Sequence, residues 1–247
     1  MNIVIHPQYE YLTDFIRRLP ALFEKGGTTI YDGRNRIKVF EVDGLLLNVK
    51  RFRKPILINR LIYSLLRAPK AKRSYEYALR LREKGIDTPE PIAYILCEEK
   101  GLLSWSYFIS FQMPETYHTL YEAGQGPIEE NSELFRALGT YTAHLHQKGI
   151  YHKDYSPGNI LYHQEPDGIH FSLIDINRMS FGKVSLKQGC ANFARIWGGE
   201  QAFHILAESY AKTLGADTAL CQKWIFHYRQ RFWKRYARKH SIPFNMD

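Results

Sequence analysis

Cysteine is scarce in this sequence, and the few cysteines are not spaced for metal binding or cross-linking. The 247 residues contain three, Cys97, Cys190 and Cys221, and no two of them form a C-x-x-C pair. Structural zinc sites usually contain closely spaced cysteine pairs, and small secreted domains carry disulfide frameworks. The sequence therefore argues against both classes and favours a protein of a reducing compartment.

Long hydrophobic runs are also missing. A membrane-spanning helix needs about 20 consecutive, mostly apolar residues, and no run approaches that length. The opening residues, MNIVIHPQYEYL, lack the basic stretch and the long apolar stretch of a secretory signal peptide. We therefore expect a cytoplasmic protein.

Acidic residues are outnumbered by basic ones. The chain has 25 Asp and Glu residues against 34 Lys and Arg residues, which gives a formal net charge of +9. Its 45% hydrophobic and 24% charged residues are ordinary for a globular protein. The basic surplus predicts an anionic partner, and nucleotides, nucleic acids, phosphorylated sugars and lipid headgroups all fit that description.

The first half of the chain is predicted to be rich in strands. Residues 28–50 alternate apolar and polar positions over short runs, with Asp-Gly pairs at 32/33 and 43/44. Asp-Gly favours tight hairpin turns because both residues tolerate positive φ angles. Two further strand-like runs, IAYIL and SYFISFQ, follow later. Together these patterns predict an antiparallel sheet.

Two helical segments and a linker complete this half. Apolar residues recur at helical spacing from Leu57 to Leu66, and a second helix is predicted from about Lys72 to Lys84 with Gly85 as its cap. The break at Met113-Pro114 is typical of a linker. We therefore predict an N-terminal domain at residues 1–113.

The second half is predicted to be mainly helical. One helix carries Leu134, Leu138, Tyr141 and Leu145 on one face, and a pair of short strands is predicted at 160–162 and 171–176. Further helices are predicted at 189–197, 200–214 and 217–239, the last with Asp217 or Thr218 as N-cap. The fold class is therefore α+β, with a C-terminal domain at residues 114–247 and a cleft between two lobes.

Polar residues with a distinctive spacing lie between these helices. The sequence HKDYSPGN runs from His152 to Asn159, and Asp175 follows inside the apolar run LIDIN. The order His, basic residue, Asp, then Asn five positions after the Asp matches the kinase catalytic loop H-R-D-x-x-x-x-N, and Asp175 falls where the D-F-G aspartate belongs. Carboxylate and amide oxygens are suitable ligands for magnesium, and a carboxylate can also accept a proton.

Through GIYHKDYSPGNIL and FSLIDINR, and more weakly through VKRFR and YEYALRLREKGIDTPEPIAY, the sequence resembles the protein-kinase-like superfamily. More narrowly, it resembles the bacterial lipopolysaccharide kinase family of the Kdo/WaaP type, over about residues 25 to 180. The resemblance implies a bilobal kinase-like fold, with an N-terminal antiparallel sheet and one main helix, and a mostly helical C-terminal lobe. It also implies transfer of a phosphoryl group from ATP, with Mg²⁺, to Kdo or heptose of the inner core.

The same resemblance implies roles for individual residues. Asp154 is the catalytic base, with His152 and Lys50 in the catalytic set, and Asn159 and Asp175 hold Mg²⁺. Lys50 contacts the α- and β-phosphates and pairs with Glu76, for which Glu83 on the same helix is an alternative. From the residues alone, His152 fits a structural brace of the loop better than a proton carrier.

Several kinase motifs are absent or altered. There is no G-x-G-x-x-G, and the glycines before Lys50 are Gly26-Gly27 and Gly33-Arg34-Asn35, from which Gly33 and Arg34 are predicted to contact the nucleotide, with Arg36 as an alternative. D-F-G is replaced by Asp175-Ile176-Asn177, A-P-E is missing, and Ser156 stands where kinases of protein substrates usually carry lysine. These differences favour a small-molecule or sugar acceptor over a protein.

The segment KWIFHYRQRFWKRYARKH allows two interpretations. Trp224, Tyr228, Phe232 and Tyr236 recur every four residues, which predicts that this aromatic stripe is a packing face. The opposite basic face suggests contact with an anionic membrane surface, which would place the protein peripherally on the inner face of the inner membrane. That face contains Arg231, Lys234, Arg235 and Arg238. A nucleic-acid interface is the less favoured alternative.

Three other functions compete with a lipopolysaccharide kinase. Aminoglycoside and choline kinases share the H-x-D-x-x-x-x-N loop, but cationic acceptors favour acidic pockets, and this chain is basic. A pseudokinase or nucleotide-dependent binding module would keep the loop without transfer. A nucleic-acid-binding protein would use the basic C-terminal segment and show steeply salt-dependent binding.

Overall fold

The computed structural model describes residues 1–55 and 68–246. It divides into two compact units, Met1–Pro114 and Glu115–Asp247, which are described separately. The helix predicted between Leu57 and Leu66 lies outside the described residues.

The N-terminal unit is built on an antiparallel sheet. Within the described residues the sheet has the strand order β1-β5-β6-β4-β3-β2, so β4 lies between β3 and β6. The strands are β1 (Asn2–Ile5), β2 (Thr28–Asp32), β3 (Arg36–Val42), β4 (Leu45–Phe52), β5 (Pro91–Glu99) and β6 (Leu102–Phe111). The predicted meander and the later pair of strands are confirmed.

The two Asp-Gly pairs form different turns. Asp43 and Gly44 have φ angles of 51° and 77°, as a tight hairpin between β3 and β4 requires. The same prediction was wrong for Asp32 and Gly33, since neither has a positive φ. Three residues separate β2 from β3, and the Gly33 N–H donates to the Asn35 carbonyl oxygen at 3.1 Å, which closes the turn in another way.

Two described α-helices belong to this unit, and one of them was predicted. The predicted one is α2 (Lys70–Glu83), after which Gly85 has a φ of 66°. The additional one is α1 (Thr13–Lys25), whose Ile16, Leu19 and Phe23 are buried in the core on the sheet. Pro20 lies inside α1, and proline is a sequence signal against a helix interior.

The C-terminal unit is mostly helical, as predicted. Its helices are α3 (Leu120–Gln125), α4 (Ile128–Gln147), α5 (Leu186–Asn192), α6 (Glu200–Leu214) and α7 (Thr218–Tyr236). Its strands are β7 (His118–Thr119), β8 (Ile150–His152), β9 (Ile160–Glu165), β10 (Gly168–Leu173) and β11 (Met179–Phe181). The predicted pair is β9 with β10, whereas β7, β8 and β11 are too short to have been detected. None of the described helices has the length and apolar character needed to cross a bilayer.

Helix α7 begins where the sequence predicted but packs through a different face. The Asp217 carboxylate caps it by accepting from the Leu220 N–H at 2.6 Å. Its buried residues are Cys221, Ile225, Arg229 and Trp233, so the aromatic stripe predicted as the packing face is only half buried beside them. Arg229 interrupts the buried stripe, and its charge hid that stripe from the hydrophobic pattern.

Candidate active site

The predicted catalytic loop begins at the end of a small two-stranded sheet in the C-terminal unit. Strand β8 pairs antiparallel with β11, and His152 at the end of β8 lies opposite Met179. The Lys153 N–H donates to the Arg178 carbonyl oxygen at 2.9 Å, which ties the first loop residue to the segment before β11. The loop therefore starts from a fixed backbone position.

His152 is buried and bonded on both sides of its ring. Nδ1 accepts from the Asp154 N–H at 3.1 Å, so the ring proton belongs on Nε2, which donates to the Ile174 carbonyl oxygen at 3.1 Å. Burial lowers the pKa of His152, which keeps the ring neutral. These contacts fit the interpretation of His152 as a brace between the loop and the segment that carries Asp175.

Asp154 accepts hydrogen bonds from two arginines. Arg195 Nη1 donates to Oδ1, and Arg178 Nη1 donates to Oδ2 at 3.2 Å. The Asp154 side chain keeps 20% of its surface exposed, and the guanidinium groups lie further out, with 54% exposure for Arg178 and 40% for Arg195. A carboxylate held in this way has a fixed orientation and lies within reach of a molecule arriving from solvent.

Asn159 and Asp175 lie at the same end of the β9–β10 hairpin. Ile160, the first residue of β9, pairs with Leu173, the last residue of β10, so Asn159 precedes that pair and Asp175 follows it. The Ile174 N–H donates to the Asn159 carbonyl oxygen at 3.0 Å, which extends the pairing towards both residues. Asn159 Nδ2 donates to the Asp154 carbonyl oxygen at 2.8 Å and thereby spans the loop.

Asp175 has an uncommon backbone conformation. Its φ is 51° and ψ is 41°, in the left-handed region that non-glycine residues rarely occupy. The Asn177 side chain donates to Asp175 Oδ1 at 2.6 Å. Conformations of this kind persist where surrounding contacts impose them and are common at functional sites. Here the turn redirects the chain directly after the hairpin.

A chain of buried polar groups supports the loop from behind. The Tyr210 hydroxyl on α6 lies 2.8 Å from His146 Nδ1, and His146 Nε2 lies 3.1 Å from Asn192 Oδ1. Asn192 Nδ2 in turn donates to the His152 carbonyl oxygen at 2.9 Å. Burial lowers the pKa of His146 to about 4. The neutral imidazole therefore links α6 to α5 and to the start of the loop.

The N-terminal unit carries the remaining predicted residues. Lys50 lies on β4 opposite Ile37 of β3 and Phe108 of β6, is half buried, and has its ammonium nitrogen 5.5 Å from the centre of the Phe52 ring. Glu76 on α2 forms an ion pair with Lys72 at 3.6 Å. The pairing of Glu76 with Lys50 stays a prediction.

The predicted nucleotide loop is short and exposed. Gly33 and Arg34 lie in the turn between β2 and β3, and both are solvent-exposed. Asp32 and Arg36 form an ion pair across the base of this turn at 2.9 Å. Contact of Gly33 and Arg34 with a nucleotide stays a prediction.

The residues at the hairpin end are chemically suited to magnesium. Mg²⁺ prefers oxygen ligands, with one or two carboxylates and the substrate phosphates as the usual set. Asp175 offers carboxylate oxygens and Asn159 an amide oxygen, and their strands are joined at that end by the Ile174–Asn159 hydrogen bond. The donor set therefore fits the predicted metal.

Sequence reasoning missed two arginines and two asparagines in this region. Asn177 and Arg178 were visible in LIDINR but carried no recognised signal. Asn192 and Arg195 lie in a later helical segment, ANFAR, and only the fold brings them to His152 and Asp154. Their positions could not be read from spacing along the chain.

Two comparisons with known proteins gave a match. The model of the lipopolysaccharide kinase (Kdo/WaaP) family matches residues 28–197. A solved structure described as WaaP in complex with acyl carrier protein has a TM-score of 0.64 and 17% sequence identity, and the match covers 94% of this chain and 100% of that one. A search of curated proteins gave no match.

The structural likeness confirms the predicted kinase-like fold with its antiparallel sheet and helices. The family match covers well over half of the chain, including Lys50 and the whole loop from His152 to Asn159 together with Asp175. The chain therefore belongs to the lipopolysaccharide kinase (Kdo/WaaP) family, and it is a phosphotransferase that acts on a sugar hydroxyl.

Proposed function

We propose that the protein transfers the γ-phosphoryl group of ATP, in the presence of Mg²⁺, to a hydroxyl of Kdo or heptose in the lipopolysaccharide inner core. The observation that carries the proposal is the convergence of Asp154, Asn159 and Asp175 at one end of the β9–β10 hairpin. Phosphoryl transfer depends mainly on positioning and charge neutralisation, and these three residue types supply both.

Asp154 is the proposed base. Its carboxylate accepts the proton of the acceptor hydroxyl as the sugar oxygen attacks the γ-phosphorus, and the bond from that phosphorus to the bridging oxygen of ADP breaks. His152 keeps the loop in place because its two ring nitrogens bond to the Asp154 N–H and the Ile174 carbonyl oxygen. The proposed products are ADP and a sugar phosphate monoester.

Asn159 and Asp175 are the proposed magnesium ligands. A bound Mg²⁺ would neutralise negative charge on the nucleotide phosphates. Asn159 also holds the loop in shape through its bond to the Asp154 carbonyl oxygen, and Asn177 orients the Asp175 carboxylate. Both ligands are therefore positioned by neighbours in the same unit.

Lys50 is the proposed contact for the α- and β-phosphates, with Glu76 as its partner and with Gly33 and Arg34 near the nucleotide. Lys50 is half buried in β4 between two neighbouring strands. Salt ions screen the charge of a half-buried ammonium group less than they screen the charge of a surface lysine. The nucleotide role of all four residues rests on the family resemblance.

The acceptor is proposed to be a membrane glycolipid, so we place the protein in the cytoplasm with peripheral contact at the inner membrane. The net charge of +9 and the exposed basic residues of α7 support contact with an anionic surface. The WaaP structure contains acyl carrier protein, which makes such a protein a second candidate partner for this chain. Copurification of the two proteins would test it.

The experiment measures ³²P transfer from labelled ATP with Mg²⁺ to dephosphorylated Kdo-lipid A, heptosylated core, choline, an aminoglycoside and a generic protein. We expect label in a glycolipid with the wild-type protein and a loss of about 10²- to 10⁴-fold with Asp154→Asn, since that is the usual contribution of a positioned base. Asp167→Asn, an exposed aspartate in the β9–β10 turn, is the matched control. Unchanged transfer by Asp154→Asn would remove this base from the mechanism.

One observation favours a second candidate, a nucleotide-dependent binding module without transfer. Both oxygens of the Asp154 carboxylate accept from arginines, an arrangement that also suits a residue held out of catalysis. Binding of ATP without label in any acceptor would support this candidate. Label in choline or an aminoglycoside would instead support a small-molecule kinase, which the two arginines beside Asp154 disfavour because they repel cationic acceptors.

A further inference from the structure

Two arginines contact the single carboxylate of Asp154. Together they carry two positive charges, and the carboxylate balances one of them. Arg178 and Arg195 each donate to a different oxygen of Asp154. Arginine presents five N–H donors in a planar fork, so a single bond to Asp154 uses only part of each guanidinium. Because both groups are substantially exposed, their outer donors can be reached by an arriving molecule.

Arg195 is held in position by an aromatic ring. The centre of its guanidinium lies 5.4 Å from the centre of the Phe232 ring on α7. Stacking on an aromatic face is a common way for a protein to fix an arginine, and it leaves the edge of the guanidinium available for bidentate bonds to an anion. Phe232 is therefore a positioning residue for Arg195.

The face of α7 that carries Phe232 forms an aromatic strip, defined here as Trp224, Tyr228, Phe232 and Tyr236. These residues are half buried, with Trp224 and Tyr228 stacked at 6.1 Å between ring centres and Phe232 and Tyr236 stacked at 6.3 Å. At the Trp224 end, the Lys187 ammonium lies 4.5 Å from the ring centre. Flat apolar faces bordered by cations suit a chain of anionic sugars better than they suit a cationic or purely apolar ligand.

We propose that Arg178 and Arg195 bind an anionic substituent of the acceptor sugar, a carboxylate or a phosphate, and that the rest of the acceptor lies along the aromatic strip. This inference rests on the proposed kinase function and adds the chemistry that selects the acceptor. When the anion takes up the arginine donors, the Asp154 carboxylate becomes available to the neighbouring hydroxyl of the same sugar. Binding of the acceptor anion by the arginines therefore also makes the Asp154 carboxylate available for catalysis.

The first experiment measures acceptor binding without ATP, so that it does not depend on transfer. Isothermal titration is done with detergent-dispersed, dephosphorylated Kdo-lipid A, with its carboxylate methyl ester, and with an esterified core acceptor whose only anionic group is a phosphate on heptose. We expect Arg195→Gln to weaken binding of an anionic acceptor by about 10- to 100-fold, which is the usual worth of a charged hydrogen bond. The ester should bind the wild type and the variant equally.

Matched variants separate the anion site from general loss of charge or fold. Arg136→Gln removes an exposed arginine from helix α4, outside the aromatic strip, and should bind as the wild type does. Arg178→Gln should act in the same direction as Arg195→Gln, and Arg195→Lys should recover part of the binding. Thermal melting of each variant checks that it is folded.

The two anionic sources give different outcomes. Arg195-dependent binding of Kdo-lipid A but not of the phosphorylated acceptor would identify a carboxylate, and the reverse would identify a phosphate. Unchanged binding of both acceptors by folded Arg195→Gln would overturn the proposal. So would a fall in kcat with an unchanged acceptor KM, because the arginines would then act on the transferred phosphoryl group.

Failure of the proposed function has its own signature. If wild-type protein binds the acceptor through Arg195 but transfers no phosphate from ATP, the result supports the anion site and contradicts the kinase activity. If wild-type protein transfers phosphate, and Arg195→Gln binds and phosphorylates the acceptor as well as the wild type does, the result supports the kinase activity and contradicts the anion site.

Discussion

The two loops that the sequence singled out differ in how they are held. In the C-terminal unit, the loop from Lys153 to Asn159 is anchored by buried groups: His152 bonds to both sides, and the Tyr155 hydroxyl lies 2.8 Å from Thr142 Oγ1 in the core. In the N-terminal unit, Gly33 and Arg34 of the loop from Gly33 to Asn35 are exposed. This loop is held by a backbone bond at 3.1 Å and by the Arg53 N–H, which donates to Asn35 Oδ1 at 3.3 Å. The first loop is preorganised, whereas the second depends on few contacts of its own.

This difference indicates how firmly the position of each loop is fixed by its surroundings. A site that positions reacting atoms needs supporting groups that hold it in place, because small displacements weaken catalysis. A loop that only covers phosphates can function with fewer contacts. Changes behind the first loop should therefore have large effects, and changes in the second should have small ones.

After the loss expected for Asp154→Asn, the next largest effect is expected from Asp175. Asp175→Asn keeps the shape of the side chain but removes the negative charge, and with it the proposed hold on the metal. We expect transfer to fall by about 10²- to 10³-fold, comparable to the loss of one electrostatic contact in other active sites. The measurement is the initial rate of ³²P transfer as Mg²⁺ is raised, with Asp167→Asn as control. A normal rate and a normal Mg²⁺ requirement would contradict the assignment.

The buried network behind the first loop should make stability depend on pH. The pKa of His146 is about 4 in the folded protein, against an ordinary value of 6.5. Between these values the unfolded chain binds more protons, so the free energy of unfolding decreases as the pH falls through this window. The full decrease is roughly 3 kcal/mol, from about 1.4 kcal/mol per pH unit.

Urea unfolding at pH 4.5 and pH 7 measures this dependence. Burial also lowers the pKa of His152, which adds to the decrease in the same direction. His146→Gln should be less stable at pH 7, because it breaks the bonds to Tyr210 and Asn192, but it should lose less stability on acidification. Parallel pH profiles for the variant and the wild type would show that His146 does not account for the slope.

A smaller effect is expected in the N-terminal unit, at Glu76. Its ion pair with Lys72 is exposed, with 48% and 40% of the two side chains accessible, and such pairs contribute only about 0 to 1 kcal/mol to stability. If Glu76 also pairs with Lys50 during catalysis, Glu76→Gln should lower transfer by about 10-fold, because kinases need that pair in place. Lys72→Gln is the control, since it breaks the surface pair alone. Equal activity of both variants would leave Glu76 with only a surface role.

How far the sequence could predict this molecule depended on the distance along the chain between interacting residues. The loop from His152 to Asn159 was readable because its spacing is local, and the antiparallel strands were readable from alternation and turns. Arg195 was not, because it reaches Asp154 only after the chain has folded through β9, β10 and α5. The buried face of α7 was misjudged because Arg229 interrupts its apolar pattern.

The smallest expected effect distinguishes two arginines of the exposed loop. Arg36 is tied to Asp32 at 2.9 Å, whereas Arg34 lies at the exposed tip between β2 and β3. An exposed arginine contributes about 1 kcal/mol or less in water, so Arg34→Gln should raise the KM for ATP by only about 3- to 5-fold at low salt. Arg36→Gln should raise it less, because its ion pair already compensates its charge. Equal increases for both variants would mean that the loop acts through its total charge and not through Arg34.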